Sequence, residues 1–264
     1  MYDARAARFF FTVLLVLALV FLYGPLLQPI LVAFSKSGQV DAKMTFTTQW
    51  FSEMVQNQMI VKSLRTSVIA ALLSAVITPV LALLAAQAIR EFRAKRAIVL
   101  LMILPLFIPP VTMGLACSFF LKLLGIPSSL ATIVLVQVIW SLPFAFLVIV
   151  AVMAGFNTVF LEAAYMSGAN RWRAFVDVEL PAIAPGLSGA AIFSAIISFN
   201  ETIRTAMVQG PYNTIQTYIW STFLQVGLSP QLFAVMASLI LITVGLVLVM
   251  IVVSIGRPAA APGR

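Results

Sequence analysis

The sequence predicts an all-α polytopic membrane protein with six transmembrane helices, and three features of the chain predict it. Of its 264 residues 62% are hydrophobic and only 9% are charged, whereas a soluble globular chain is about half apolar and about a quarter charged. The mean hydropathy is +1.09. Apolar runs near 9–34, 63–89, 97–121, 130–153, 182–208 and 232–254 each supply the roughly 20 residues that a helix needs to cross about 30 Å of hydrocarbon. Stretches such as Ile98-Val99-Leu100-Leu101-Met102-Ile103-Leu104 show none of the alternation of a membrane β-strand, so the spans are helices.

The first span follows Arg5 and Arg8, and its apolar run is longer than the roughly 7–15 residues of a signal-peptide core, so it is expected to be retained. The polar stretch after it ends in a segment, 48–55, that sets Trp50, Phe51, Met54 and Val55 on one helical face. That pattern predicts a short interfacial helix on the outer surface with its tryptophan at headgroup level, either hugging the membrane or docking an external partner. Pro25, Pro29, Pro79, Pro105, Pro109, Pro110 and Pro143 lie in the spans. Each removes a backbone donor and is expected to kink its helix, which suits a gated pathway, although proline is common in membrane helices generally. Cys117 is the sole cysteine, so no intrachain disulfide can form, and it reads as an apolar packer.

Between the fourth and fifth spans lies a polar island at 154–181 carrying Glu162, Arg171, Arg173, Asp177 and Glu179. So much charge is expected to project out of the lipid. Asn157 or Thr158 can cap a short helix that Gly168 stops. A second short helix is expected from about Asn170 through Trp172, Phe175 and Val176, before Leu180-Pro181 turns the chain into the fifth span.

Basic residues fix the orientation. Arg5, Arg8, Arg90, Arg93, Lys95, Arg96, Arg171, Arg173, Arg257 and Arg264 fall on one side, against Lys36, Lys43, Lys62, Arg65, Lys122 and Arg204 on the other or at its edge. Both termini and the polar island are therefore expected in the cytoplasm. The net charge of +8 then serves insertion and attraction to anionic membrane lipids. Spread over short loops, it forms no nucleic-acid patch. No soluble domain fits, so 1–264 reads as a single membrane domain.

Inside the fifth span, Glu201 and Arg204 would each cost about 2.5–3.5 kcal/mol at mid-bilayer if unpaired. Their spacing puts them on one helix face, turned to the protein interior. Two readings stay open: Asn200 and Glu201 line a path for a cationic solute, or Glu201 and Arg204 form a structural ion pair. Trp140, Gln137, Ser141, Ser194 and Ser198 can line the same path or make interhelical hydrogen bonds.

No G-x4-G-K-[ST] loop is present and the chain has no histidine, which removes one route to ATP and the histidine-dependent zinc and serine hydrolase sites. Asp3, Asp41 and Asp177 lie outside the spans, leaving no intramembrane aspartyl dyad. The chain is not expected to be an enzyme. An ion-coupled secondary carrier is a rival, but Glu201 and Arg204 are its sole charges deep in a span and no internal repeat is evident.

The island itself reads Glu162-Ala163-Ala164-x3-Gly168-x9-Val178-x-Leu180-Pro181. This string resembles the coupling loop of the permease subunits of type I, binding-protein-dependent ABC importers, with valine where isoleucine is common. The resemblance implies a loop, 157–181, that inserts into a groove on a cytosolic ATPase. Glu162, Ala163, Ala164 and Gly168 would make the contact, and Val178, Leu180 and Pro181 would fix the exit. It further implies a bacterial inner-membrane location, a second permease subunit completing the pathway as a heterodimer or a homodimer, and an ATPase dimer that binds the ATP and magnesium. A periplasmic or lipid-anchored solute-binding protein would deliver the cargo, and no cofactor is expected on this chain. Ser198-Phe199-Asn200-Glu201, Gly210-Pro211 and Thr217-Tyr218-Ile219-Trp220 are similar to the second permease of spermidine- and putrescine-type importers. Permeases for iron, sulfate, amino acids or opine-like solutes share the same plan.

Overall fold

A computed structural model describes residues 4–38, 45–92 and 95–255, with side chains given from residue 8 to residue 245. Asp3, Asp41, Lys43, Arg93, Arg257 and Arg264, and the side chain of Arg5, lie outside the described residues. Among those described every regular element is helical. In order they are α1 (Ala4–Ala33), α2 (Gln49–Gln56), α3 (Gln58–Glu91), α4 (Lys95–Ile103), a 3-10 turn (Leu104–Phe107), α5 (Pro110–Leu123) and α6 (Leu130–Ala154). There follow α7 (Val159–Met166), α8 (Arg171–Ala174), a π-helical segment (Phe175–Glu179), α9 (Leu180–Phe199), α10 (Ile203–Val208), α11 (Ile215–Val226) and α12 (Pro230–Ile255). The chain divides into two compact units, residues 1–58 with 221–264, and residues 59–220.

In the first unit α12 packs against both α1 and α2. Ala33, Ala234 and Ala237 let the backbones approach, and Ile30, Trp50, Phe51 and Phe233 close over them, the small-residue packing expected where lipid is the solvent. The predicted interfacial helix is α2. Its tryptophan is tied down: Trp50 Nε1 donates to the Ser35 carbonyl at 2.8 Å. Glu53 accepts from Gln231 Nε2 at 2.7 Å and Gln49 Nε2 at 2.9 Å, and these two bonds hold its carboxyl below the usual range. α2 is thus a bracket over the start of α12, with Met54 3.7 Å from Ser238 Oγ and Val55 left exposed.

In the second unit α6 is the central helix. Ser129 starts it with a capping box, its hydroxyl accepting from the Thr132 N–H while the Thr132 hydroxyl accepts from the Ser129 N–H. Ala82 and Ala86 of α3, Ala145, Phe146 and Ile149 of α6 and Ala190 of α9 form one buried cluster. Where α6 meets α9 the fit is close at Gly186, on which a Cβ would stand 2.6 Å from Val152 Cγ2. Gly186→Val is therefore expected to push the two helices apart at a cost of about 1–3 kcal/mol. The check is the thermal unfolding midpoint of the detergent-solubilised protein, and an unchanged midpoint would contradict the packing.

Several sequence expectations change here. The third span is not one helix, because α4 and α5 meet at 107°. Pro105, Pro109 and Pro110 cause the break, since the backbone before a proline is driven out of the helical region, and Ile108 (ψ 124) and Pro109 (ψ 143) are both extended. By contrast Pro25, Pro29, Pro79 and Pro143 lie within unbroken helices. The fifth span ends at Phe199 instead of 208 and resumes after three residues, Asn200, Glu201 and Thr202, as α10. The polar stretch 209–230 contains α11, which its composition did not announce. Among the described residues four helices are long and apolar enough to cross a bilayer, or five with the bent α4–α5 pair as one broken span. The part of α12 with described side chains, Pro230–Gly245, is apolar but shorter.

Candidate functional site

Two places in the second unit gather the residues singled out above. The first is the segment from α7 to the start of α9. Asn157 Oδ1 accepts from the Val159 N–H at 3.0 Å and Thr158 occupies the cap position, so the start of α7 is where the capping residues put it. At the other end the Ser167 N–H bonds back to Ala163 and Ala164 and the Ala169 N–H to Ala164. Gly168 takes φ +85, the left-handed closure that a side chain disfavours. Leu161 is buried and anchors the helix, while Glu162, Ala163 and Gly168 are exposed and Ala164 is half-buried. Met166 at 89% and Trp172 at 71% exposure are two further outward-facing apolar side chains of the same segment. The sequence reading gave neither side chain a role.

Asn170 caps α8, its Oδ1 accepting from the Arg173 N–H at 2.8 Å. From there the path departs from expectation: Leu180-Pro181 does not turn the chain. Helical backbone runs on from Arg171 to Phe199 through a π-helical turn in which the Leu180 N–H reaches back to the Phe175 carbonyl. Pro181 explains the widening, because it has no N–H to give and its ring conflicts with the carbonyl four residues before it. Val178 and Leu180 are half-buried and Pro181 is exposed.

One charge of the island does not project outward. Glu179 is 1% exposed. Arg90 grips it with two hydrogen bonds, Nη1 to Oε1 at 2.7 Å and Nη2 to Oε2 at 3.0 Å. Gln87 Nε2 adds a third at 3.0 Å, and Arg90 Nη2 also donates to Gln87 Oε1. Burial of a carboxylate is tolerated when such a fork satisfies both its oxygens. Arg90 entered the sequence reading as an orientation signal and Glu179 as a loop charge. Partners so far apart in the chain leave no local pattern.

The second place is the break between α9 and α10. Asn200 ends α9 with its Nδ2 donating to the Ile196 carbonyl. Glu201 then caps α10, its Oε1 accepting from the Arg204 N–H at 2.9 Å while Oε2 takes Arg204 Nη1 at 2.8 Å. Both residues are buried. The Arg204 guanidinium lies 3.6 Å from the centroid of the Trp140 ring, close enough for a cation–π contact. Behind it Ser198 Oγ donates to Gln137 Oε1, and Gln137 Nε2 donates to Thr205 Oγ1 at 3.1 Å. Glu201, Arg204 and Trp140 thus form one group and Ser198 joins a neighbouring one. Asn200 joins neither and is exposed, 3.5 Å from Gln216 Nε2. Ser141 pairs with Thr78 and Ser194 with the Ala190 carbonyl. Among the described residues no group of His, Cys, Asp or Glu is arranged to hold a metal ion.

Residues 78–255, which include both places, match the family described as the binding-protein-dependent transport system inner membrane component. The chain belongs to that family. This permease is 26% identical over 231 residues to the spermidine/putrescine transport system permease protein PotC of Escherichia coli strain K12, covering 86% of this chain and 87% of that one. It is 25% identical over 244 residues to the putrescine transport system permease protein PotI of the same strain, covering 89% and 86%. A solved bacterial ABC transporter involved in the import of the acidic polysaccharide alginate has a chain that superposes with a TM-score of 0.73 at 14% identity, over 98% of the permease and 99% of that chain. A second alginate transporter structure, in complex with its pentasaccharide-bound periplasmic protein, gives 0.67 at 19% identity. At those identities the likeness is one of fold.

Proposed function

We propose that the permease forms half of the translocation pathway of an ATP-driven importer of polyamines, spermidine and putrescine among them. The observation that carries the reading is α7, a short helix whose exposed Glu162 and Ala163, half-buried Ala164 and left-handed Gly168 suit the groove of a cytosolic ATPase subunit. Small residues permit close approach there, and Met166 and Trp172 supply apolar anchors of the kind that dominate interfaces. In this reading the chain crosses the membrane six times, the bent α4–α5 pair counting as one span and α12 as another. Both termini and the segment 157–181 face the cytoplasm. An ATPase dimer holds the ATP and magnesium, a second permease completes the path, and a periplasmic or lipid-anchored binding protein delivers cargo.

The choice of polyamines rests on the amine cargo in the names of PotC and PotI, which the permease matches over most of its length. A carboxylate grouped with an aromatic ring is the type of site that attracts an ammonium group, and Glu201 and Trp140 are grouped through Arg204, which pairs with the one and lies over the other. One observation favours a different small solute: Arg204 already neutralises Glu201. The test is ATP-dependent uptake of labelled putrescine or spermidine into vesicles holding the permease with its partner permease, ATPase and binding protein. Uptake of either amine is the expected result. ATP turnover stimulated by the binding protein with neither amine accumulating would remove polyamines and leave the importer.

A further inference from the structure

The end of α3 grips both ends of the segment that follows α7. At the far end Glu179 is buried in the fork of Arg90 and the amide of Gln87. At the near end Arg171 of α8 stands 3.6 Å from Glu91, the last residue of α3. The stretch between these two holds is a single helical turn and the π-helical segment Phe175–Glu179. Wide turns of that kind are local weak points that frequently mark functional positions.

We propose that Arg90 and Glu179 are positioning residues for energy coupling: their pair conveys displacement of α7 to α3 as well as to α9. The contribution of each hold differs. Arg171 and Glu91 are both largely exposed, and such a pair contributes little. Glu179 is shut away from water and bound at both oxygens, so it cannot drift from Arg90 without leaving a buried charge unpaired. A push on α7 that tilts the 171–179 segment must therefore carry the end of α3 with it or open the π-helical turn. With the pair intact α3 and α9 move together. Without it the π-helical turn absorbs the displacement before it reaches α3.

This inference rests on the importer reading, and the test separates the two. The complete complex is reconstituted, and ATP hydrolysis is measured with and without the cargo-loaded binding protein. The ratio reports signal passing between the ATPase and the outer face whatever the cargo is, and a wild-type ratio of one would sink the importer reading by itself. A role confined to holding the fold together changes the amount of complex but not the ratio. Arg90→Gln alone strands a buried carboxylate, so the deciding variant is Arg90→Gln with Glu179→Gln, which removes both charges. Its stimulation is expected to fall about fivefold or more, and the exchange of Arg90→Glu with Glu179→Arg to restore part of it. Wild-type stimulation in the doubly neutral variant would overturn the proposal. So would failure of that variant to assemble, since the pair would then serve the fold.

Discussion

Glu162→Lys is expected to abolish ATP-driven uptake while the permease still inserts and accumulates at its normal level. The two halves of that expectation have separate causes. Glu162 is exposed on α7, and its neighbour Leu161 anchors the helix, so reversing its charge should disturb the fold by no more than about 0.5 kcal/mol. At a docking surface the same change sets a cation where the partner's groove meets a carboxylate. Truncating a hydrogen-bonded interfacial charge costs about 2–5 kcal/mol, and reversal adds repulsion, so coupling should fall by well over tenfold. Gly168→Asp tests the same surface from its other end. No atom lies within 4 Å of a Cβ at Gly168, so the change meets no clash and costs about 1–2 kcal/mol of left-handed backbone strain. What it alters is the surface, adding a bulky negative group where the helix closes. The measurement is uptake normalised to the amount of permease in the vesicles, together with ATPase subunit retained after detergent extraction. Normal uptake in both variants would remove α7 as the coupling helix.

What could be read before the structure follows from the range of the forces involved. Apolar run length places α1, α3, α6 and α9, the single helices long and apolar enough to cross a bilayer among the described residues, because crossing constrains each run by itself. The limits of α7 were legible for a similar reason, since Asn157, Thr158 and Gly168 act within one turn of themselves. Pro105, Pro109 and Pro110 were visible but were assigned the wrong effect, a kink in one span where the backbone turns through 107°. The end of α9 was invisible. No glycine or proline stands between Phe199 and Ile203, and the break is held by the Glu201 side chain capping α10 while its other oxygen takes Arg204. The burial of Glu179 was equally hidden, because it depends on Arg90, which no local pattern connects to it. Sequence therefore located Glu201 and Arg204 as a pair but misjudged the backbone carrying them, and it located the island but not the charge locked inside it.

That pair gives the other large expected effect. Glu201→Gln keeps the size of the side chain and its capping oxygen for the Arg204 N–H, but it leaves the Arg204 guanidinium buried over Trp140 without its counter-ion. Stranding a buried charge costs about 3–5 kcal/mol, and Arg204 Nε already lacks a hydrogen-bond partner among the described residues, so the protein level in the membrane should drop sharply. Arg204→Gln strands Glu201 in the same way. Combining the two substitutions removes both charges and should return the protein level towards wild type, because a neutral pair avoids the desolvation that either lone charge suffers. Uptake then separates the two roles of Glu201. A carboxylate that passes an ammonium group along the path cannot be replaced by an amide, so the double variant is expected to recover its level without recovering putrescine or spermidine uptake. Recovery of both would make Glu201–Arg204 a structural ion pair, and amine selection would then have to lie outside the α9–α10 break.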